Sequence, residues 1–253
     1  MDKYLHARIE ETAQRTSTNN YVCATPFLDL PTRIELTRMA KGETLFGVPF
    51  LFIGGGEDNE RTRLIFLPDY LQPNDIDVSE CIHRFRVLPR SGKFSIKLTH
   101  RDYLGAILGT GIKREMIGDV LVKDNICEFF ALPEALPLLE EGFSQVKSEE
   151  ISLIPITLSE EGIRPDFKKE TLFVPSLRLD AILAHGFPLS RGKAGLFIEE
   201  GLVTHNGEKA IHKDAEVEIG DLISVYRHGK IQVLANLGIS KKNHLILKIK
   251  RYG

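Results

Sequence analysis

The spacing of apolar residues predicts the first elements of the chain. Leu5, Ile9 and Ala13 recur every four residues, which is the spacing of one helical face, and predict a helix over 3–14. The polar stretch 16–20 is typical of a loop and is expected to end this helix.

Two apolar runs follow a second helix, which is predicted to begin at Pro31 because proline suits the first helical turn. The runs 48–53 and 63–67 favour strands, and the glycine-rich stretch 54–59 between them favours a hairpin connection. We therefore expect an N-terminal α/β unit over 1–79.

The next segment, 80–156, alternates predicted strands and helices. The strands are expected at 82–88, 93–98, 117–122, 126–131 and 150–156, and the helices at 100–108 and 133–146. Thr99 is suited to cap the first of these helices. This order predicts a ferredoxin-like, or RRM-like, sandwich of one sheet and two helices.

A polar segment with little apolar periodicity, 157–174, is expected to connect this unit to a last domain over 175–253. That domain begins with two short predicted helices, the second capped by Ser190. Strands follow, and Asn206-Gly207 is the strongest hairpin signal among them. The predicted fold class is therefore α+β, with three small domains.

Composition narrows the class of protein. With 42% hydrophobic and 27% charged residues, the chain is not a disordered polypeptide, a disulfide scaffold or a fibrous repeat. No apolar run approaches a membrane span of about 20 residues. The N-terminus lacks an apolar leader, and the three cysteines are widely spaced. We therefore expect a cytoplasmic protein without membrane contact.

Charge is unevenly distributed although the chain carries only −2 overall. The segments 1–79 and 124–174 carry net charges of −4 and −7, and the segments 80–123 and 175–253 carry +5 and +4. Such alternation also arises by chance. If it is meaningful, the two cationic segments are expected to present surfaces to a polyanion and the acidic segments to face elsewhere.

Two cations occupy an unfavourable place in the predicted helix after Ser190. Arg191 and Lys193 lie in its first turn, where the helix dipole opposes positive charge by about 0.3–1 kcal/mol each. An anion bound there would make the two cations favourable, because free N–H groups and both cations would then face one phosphate. Arg178 opens the preceding helix in the same way. The alternative is that these residues are solvated surface.

Basic and aromatic residues are interleaved in the central segment. His100-Arg101 and Lys113-Arg114 are candidate RNA contacts beside Tyr103, Phe85 and Phe94. Phe85 and Phe94 are more often core residues, in which case the charges are an ordinary solvated face.

Ordered motifs near the C-terminus resemble a known module. In chain order they are Arg178-Leu179-Asp180, Leu189-Ser190-Arg191-Gly192-Lys193-Ala194, Gly201-Leu202-Val203, Asn206-Gly207 and Gly220-Asp221. They resemble the S-four RNA-binding domain, which is named after a small-subunit ribosomal protein.

Two further motifs lie upstream, Thr99-His100-Arg101-Asp102-Tyr103-Leu104-Gly105-Ala106-Ile107-Leu108-Gly109 and Gly111-Ile112-Lys113-Arg114-Glu115. These resemble the YlmH family, whose members carry a C-terminal S-four domain, and the likeness extends over essentially the whole chain.

The resemblance implies a non-catalytic, ribosome-associated RNA-binding protein. Family members are similar to a quality-control factor that binds large subunits obstructed by peptidyl-tRNA, and rRNA or tRNA is the implied partner. An RNA-modifying enzyme docked by its S-four domain, and a scaffold for division or photosystem assembly, remain alternatives. The oligomeric state is left open. The candidate RNA-contacting residues are Arg178, Ser190, Arg191, Lys193, Asn206, Lys209, His100, Arg101, Lys113 and Arg114.

No catalytic residue, metal site or cofactor is predicted. His100-Arg101-Asp102 imitates a kinase catalytic loop, but Ile107 stands where that loop needs its metal-binding asparagine. Gly54-Gly55-Gly56 lacks the lysine of a phosphate-binding loop. Asp180, which could be imagined as a catalytic acid, is expected to cap the helix or to form an ion pair with Arg178 instead.

Overall fold

A computed structural model of the protein describes residues 2–56, 59–90 and 96–252. The chain forms two compact units, Met1–Arg164 and Pro165–Gly253. The predicted segments 1–79 and 80–156 both lie in the first unit, where each builds its own sheet. Among the described residues, no helix is long and apolar enough to cross a membrane.

The first unit contains five α-helices and nine strands among its described residues. The helices are α1 (Lys3–Asn19), α2 (Leu30–Met39), α3 (Val78–Cys81), α4 (His100–Gly109) and α5 (Leu136–Gly142). The strands are β1 (Cys23–Leu28), β2 (Thr44–Leu45), β3 (Val48–Ile53), β4 (Thr62–Phe66), β5 (His83–Pro89), β6 (Ile117–Lys123), β7 (Ile126–Ala131), β8 (Gln145–Val146) and β9 (Glu149–Ile156).

The N-terminal sheet has the order β1-β4-β3-β2, and all of its pairs are antiparallel. Helix α1 is longer than predicted and includes residues 16–19, which were expected to be a loop. Thr16 is fully buried there, and its hydroxyl donates to the Thr12 carbonyl. The helix ends at Asn20 in the left-handed conformation. The helix therefore extends about one turn beyond the end that the polar composition predicted.

The second sheet has the order β6-β7-β5-β9-β8, and its neighbours are antiparallel. The connection β5-α4-β6 passes over β7, which is the split βαβ arrangement. The core on the helix side contains Phe85, Tyr103 and Phe129, so the core interpretation of Phe85 is confirmed. The second predicted strand lies largely outside the described residues, and 96–98 is not a strand.

The opposite face of this second sheet is covered. Phe130 on β7 packs in a buried cluster with Phe27 and Ile65 of the N-terminal sheet. Gly55 approaches the Phe130 ring so closely that an added Cβ would lie 2.2 Å from it. Both sheets therefore share a core, which makes the first unit one compact body.

A strap over 157–163 is fixed to the same face by charged side chains. The Glu128 carboxylate receives Arg84 Nη2 at 2.6 Å, Arg86 Nε at 2.8 Å and the Ile163 amide at 2.9 Å. Arg84 also donates to the Glu160 carbonyl and Arg86 to the Glu161 carbonyl. The first half of the predicted connection is thus part of the first unit.

The second unit contains a six-stranded antiparallel sheet of order β10-β15-β14-β13-β11-β12 and two helices. The strands are β10 (Phe167–Val174), β11 (Val203–His205), β12 (Glu208–Lys209), β13 (Leu222–Val225), β14 (Gly229–Ile239) and β15 (Leu245–Tyr252). The helices are α6 (Leu179–Gly186) and α7 (Arg191–Glu199), and they pack on one face of the sheet.

The expectation that 157–174 is a connecting segment is wrong in its second half as well. Residues 167–174 pair with 245–252 along their full length as strand β10. Leu172 and Val174 are the residues of this strand that enter the core. The strand also carries four polar residues, 168–171, and the exposed Phe167 and Phe173, and it lies at the sheet edge.

The buried ion pairs at the strap give the first prediction. Glu128→Gln removes the charge that compensates Arg84 and Arg86, and Glu128 is only 1% exposed. Breaking such a pair costs about 3–5 kcal/mol, so amide exchange in β5 and the strap should accelerate about 100-fold or more. Hydrogen-exchange mass spectrometry measures this. The control is Glu150→Gln, whose side chain is 76% exposed. Equal exchange in the two variants would contradict a structural role for Glu128.

Candidate nucleic-acid interface

The helix pair α6 and α7 places the residues of the C-terminal motif. Leu179, Ile182 and Leu183 bury the predicted face of α6, and Ala194 and Ile198 bury that of α7. Both predicted helices are confirmed. Arg178, which precedes α6, and Arg191 and Lys193, which begin α7, lie outside this core and are exposed.

One carboxylate links the starts of the two helices. Asp180 receives Arg178 Nε at 3.1 Å through one oxygen and Arg191 Nε at 3.3 Å through the other. The predicted pair with Arg178 is confirmed, and Arg191 is an added partner. Asp180 therefore holds two guanidinium groups side by side although eleven positions separate Arg191 from Asp180 along the chain.

The electrostatics of this cluster favour full ionisation. Burial alone would raise the pKa of Asp180, but the hydrogen bonds from Arg178 and Arg191 outweigh it and lower the pKa. The Arg178 and Arg191 side chains remain 45% and 59% exposed. Each guanidinium carries five N–H donors, and Asp180 engages only some of them. The remaining donors can meet an oxyanion.

The two helix N-termini differ in what their backbone amides do. At α7, the Ser190 hydroxyl caps the Lys193 amide at 3.3 Å, and the Lys193 side chain is exposed. At α6, the Leu179 and Asp180 amides already donate to the Ala215 and Lys213 carbonyls. The prediction that both helices offer free amides is therefore wrong for α6, where Arg178 contributes its side chain only.

Asn206 has a structural role. It is 8% exposed with φ at 55°, and Gly207 follows with φ at 83°, so the predicted two-residue hairpin forms. Its Nδ2 donates to Asp221 at 2.6 Å, and its Oδ1 accepts from the Leu222 amide at 2.8 Å. Because its amide group is buried in this network, we leave Asn206 out of the proposed RNA surface.

Lys209 and Lys213 lie along α7 at different places. The Lys209 side chain passes 3.7 Å from the Cβ position of Gly201, at the C-terminal end of α7. It is therefore roughly one helix length, about 14 Å, from Arg191. Lys213, which was not among the candidates selected from the sequence, crosses the buried Gly195 and pairs with Glu199.

The basic candidates of the first unit divide into structural and exposed residues. Arg114 donates to the Ile117 and Gly118 carbonyls, and burial followed by repulsion from Arg61 lowers its pKa to about 10. Partial burial and then the charge of Arg114 lower the pKa of His100, which is therefore largely neutral near pH 7.

Arg101 and Lys113 are both exposed. Arg101 lies in the first turn of α4 and Lys113 follows its last turn, so about 15 Å of helix separates their backbones. The aromatic neighbours do not join them: Tyr103 is buried with its hydroxyl on the Asn125 carbonyl, and Phe94 is outside the described residues. Base stacking by Tyr103 or by the equally buried Phe85 is therefore not part of this surface.

Arg61 and Asp119, two further ionisable groups of the first unit whose pKa values are shifted, form hydrogen bonds to backbone groups. Burial lowers the pKa of Arg61, which donates to the Ile117 and Phe27 carbonyls. Burial raises the pKa of Asp119, which accepts the Glu60 and Arg61 amides. A cavity of about 340 Å³ between α1 and β1 has Arg61 in its wall. These groups act as structural anchors between the two sheets.

Known proteins resemble this chain both in its central region and over most of its length. Residues 87–160 match the family described as "Putative RNA-binding domain in YlmH". The chain is 29% identical over 220 residues to the "Ribosome-associated protein quality control protein P2" of Bacillus subtilis (strain 168), covering 87% of this chain and 83% of that protein. The resemblance to the YlmH family is confirmed.

A solved structure shares the fold of this YlmH-like chain. It is the "Cell division protein ylmH from Streptococcus pneumoniae", with a TM-score of 0.51 and 23% identity over 62% of this chain and 92% of that one. The matched region begins within β5, at Val87, and ends in the strap, so it contains α4 and Glu128 but not Arg84. The region that matches this family thus precedes the α6–α7 cluster in the chain.

The Asn206 network gives a pH-dependent prediction. The ionised Asp221 can only accept, so it receives His205 Nε2, Asn206 Nδ2 and the Glu218 amide. Burial would raise its pKa, but these hydrogen bonds lower it below 3.8. Its stabilisation is therefore complete above pH 3.8 and is lost as the pH falls through the lowered value.

Asp221→Asn should lower the urea midpoint at pH 7 and flatten its decline in acid, measured by circular dichroism from pH 2 to 7. The matched control is Asp214→Asn, an exposed residue of the same unit. A decline as steep in Asp221→Asn as in the unaltered chain would show that another carboxylate governs acid stability.

Proposed function

We propose that this protein is a non-catalytic RNA-binding protein of the ribosome, acting in quality control of stalled nascent chains. Its second unit would be an S-four domain that binds rRNA or tRNA on the large subunit. The observation that carries the proposal is the half-exposed pair Arg178 and Arg191, held by Asp180 at the start of α7. The name of the Bacillus subtilis relative supports the ribosomal setting.

Phosphate is the ligand that suits this geometry. Guanidinium groups bind phosphate oxygens through paired N–H donors, and their charge persists at any physiological pH. The exposed Lys193 and the N-terminus of α7 add positive potential at the same place. Structured RNA is recognised largely through phosphates, 2′-hydroxyls and shape, so this cluster can bind it without reading bases.

A second contact would come from the first unit. Arg101 and Lys113 are exposed within the region that matches the RNA-binding family. Two weak sites on one chain raise the overall affinity, because the second binding step occurs at a high effective concentration. His100 would add hydrogen bonding rather than charge, whereas Arg114 would keep the local backbone in place.

Binding, rather than chemistry on RNA, accounts for the residues of both surfaces. Asp180 is the acidic group nearest the proposed phosphate, and its two arginine partners keep it ionised. A general acid needs a pKa near the working pH, which this carboxylate does not have. The proposal therefore places the protein in the cytoplasm as a ribosome-binding factor.

Charge reversal on α7 tests the main surface. Arg191→Glu with Lys193→Glu should nearly abolish co-sedimentation with ribosomal large subunits. Affinity of the unaltered chain should fall steeply with salt, since each phosphate contact releases condensed counterions. The control, Lys241→Glu with Lys242→Glu, makes the same charge change at an exposed hairpin of the same unit. Salt-independent binding, or equal loss in both variants, would refute a specific α7 site.

The first-unit contact is tested separately. Arg101→Glu with Lys113→Glu should weaken subunit binding partially, by about 1 kcal/mol for each lost charge-assisted contact. Arg114 is left intact because its guanidinium supports the fold. Circular dichroism should show unchanged folding, as exposed substitutions usually change stability by about 0.5 kcal/mol or less. Unchanged binding by the folded variant would mean that the second contact does not exist.

A further inference from the structure

Asp180 places a negative charge inside the surface that is proposed to bind phosphate. The residue is only 8% exposed, and its carboxylate joins the exposed side chains of Arg178 and Arg191. A carboxylate repels a nearby phosphate, so electrostatics alone would favour a neutral residue at this position. Any contribution of Asp180 to binding therefore has to come from something other than its charge.

The backbone around Asp180 fixes the position of this carboxylate. The Asp180 amide donates to the Lys213 carbonyl at 3.0 Å, and the Leu179 amide donates to the Ala215 carbonyl at 2.9 Å. The first turn of α6 is thereby tied to the segment 213–215, and the Leu179 side chain beside it is fully buried. Asp180 is therefore a fixed point to which longer side chains can be attached.

The two arginines contact Asp180 through different edges. Arg178 donates from Nε at 3.1 Å and from Nη2 at 3.4 Å, with one bond to each carboxylate oxygen. Arg191 donates from Nε alone, at 3.3 Å. Among the described residues, Nη1 of Arg178 and both Nη atoms of Arg191 have no hydrogen-bond partner. The free end of Arg191 thus presents two parallel N–H groups, the arrangement that binds two oxygens of one phosphate.

These hydrogen bonds order the arginines before a ligand arrives. An exposed arginine samples many rotamers, and a ligand that immobilises it loses affinity through the entropy of ordering. Asp180 already restricts both guanidinium groups in the folded chain, so less ordering remains for the binding step. Without a carboxylate between them, the two like-charged groups would also move apart.

We propose that Asp180 is a positioning residue for RNA binding, which orients the Arg178 and Arg191 guanidinium groups toward a backbone phosphate. This inference rests on the proposed function of the α6–α7 cluster. It gives Asp180 an effect opposite to the sign of its charge, because an acidic group makes a cationic surface bind RNA more tightly. If Asp180 only stabilised the start of α6 through the helix dipole, its replacement would change stability but not the affinity of the folded chain.

Asp214 provides a matched control because it carries the same charge near the same arginine. The hydrogen bond to Asp180 is the main cause that raises the pKa of Arg178, and the charge of Asp214 adds to the rise. Asp214 is exposed, and neither Arg178 nor Arg191 donates to it in the described part of the chain. Asp214→Asn therefore removes a nearby negative charge without releasing an arginine.

The test titrates the full chain against isolated large ribosomal subunits at KCl concentrations from about 50 to 200 mM. Asp180→Asn should weaken binding about fivefold or more with little change in the salt slope, because both cations remain but must be ordered on binding. Asp214→Asn should bind as tightly as the unaltered chain or up to about twofold more tightly. Asp180→Glu, which keeps the carboxylate, should recover part of the loss.

The arginine side chains report their ordering directly and without RNA. In nuclear magnetic resonance of chain labelled at arginine, the Nε–H groups of Arg178 and Arg191 should relax as rigid groups in the unaltered chain and in Asp214→Asn. In Asp180→Asn they should relax as mobile groups. Backbone amide spectra should show the same folded α6–α7 pair in all three proteins, which separates side-chain ordering from a change of fold.

Three results would overturn the positioning role. Asp180→Asn could bind as tightly as the unaltered chain, Asp214→Asn could lose as much affinity, or both Nε–H groups could stay rigid in Asp180→Asn. If one of these occurs while Arg191→Glu with Lys193→Glu still abolishes binding, the α7 site stands without help from Asp180. If the unaltered chain does not bind the subunits, the proposed function itself is refuted, and the role of Asp180 with it.

Discussion

A carboxylate shared by two arginines is the interaction on which both units depend. In the first unit, Glu128 pairs with Arg84 and Arg86 away from water and fixes the strap to the sheet. In the second unit, Asp180 pairs with Arg178 and Arg191 at the surface. Both clusters join a carboxylate to two guanidinium groups, but they differ in burial, and burial decides what each cluster does. A buried pair is costly to break and therefore serves the fold, whereas a half-exposed pair keeps donors available for a ligand.

The strap determines how the region matching the RNA-binding family can act. An RRM binds RNA by stacking bases on aromatic residues of its open sheet face. Here that face carries Arg84, Glu128 and Phe130, and it is covered by the strap and by the N-terminal sheet. A Cβ at Gly162 would lie 1.1 Å from Arg84 Nη2, so a side chain there would displace the Arg84 guanidinium from its place beside Glu128. The split βαβ arrangement is therefore present without the open sheet surface usually associated with it, and for this reason our proposal assigns the first-unit contact to α4 and its flanking segments.

The sequence predicted those elements whose apolar spacing is regular, and missed those that depend on distant partners. Helix α4, the α6–α7 pair and the Asn206-Gly207 hairpin were predicted because local signals suffice for them. Strand β10 was missed because its polar residues are held by pairing with β15, more than 70 residues later. Strand β1 contains Pro26 at an irregularity in its pairing with β4, which hid its strand character. At the site, residue types identified the cations, but only the structure showed that Asn206 is buried.

Charge along the chain does not map directly onto charge at the surface. The segment 80–123 carries +5, yet Arg84 and Arg86 are neutralised by Glu128, and Arg114 binds carbonyl groups. The segment 124–174 carries −7, yet its last strand, β10, places Lys169 opposite Lys250 because it pairs with β15. The net charge of a segment therefore does not define a surface of one sign. Strand pairing brings residues from oppositely charged segments together, so the potential that a polyanion meets is set by sheet register rather than by position in the sequence.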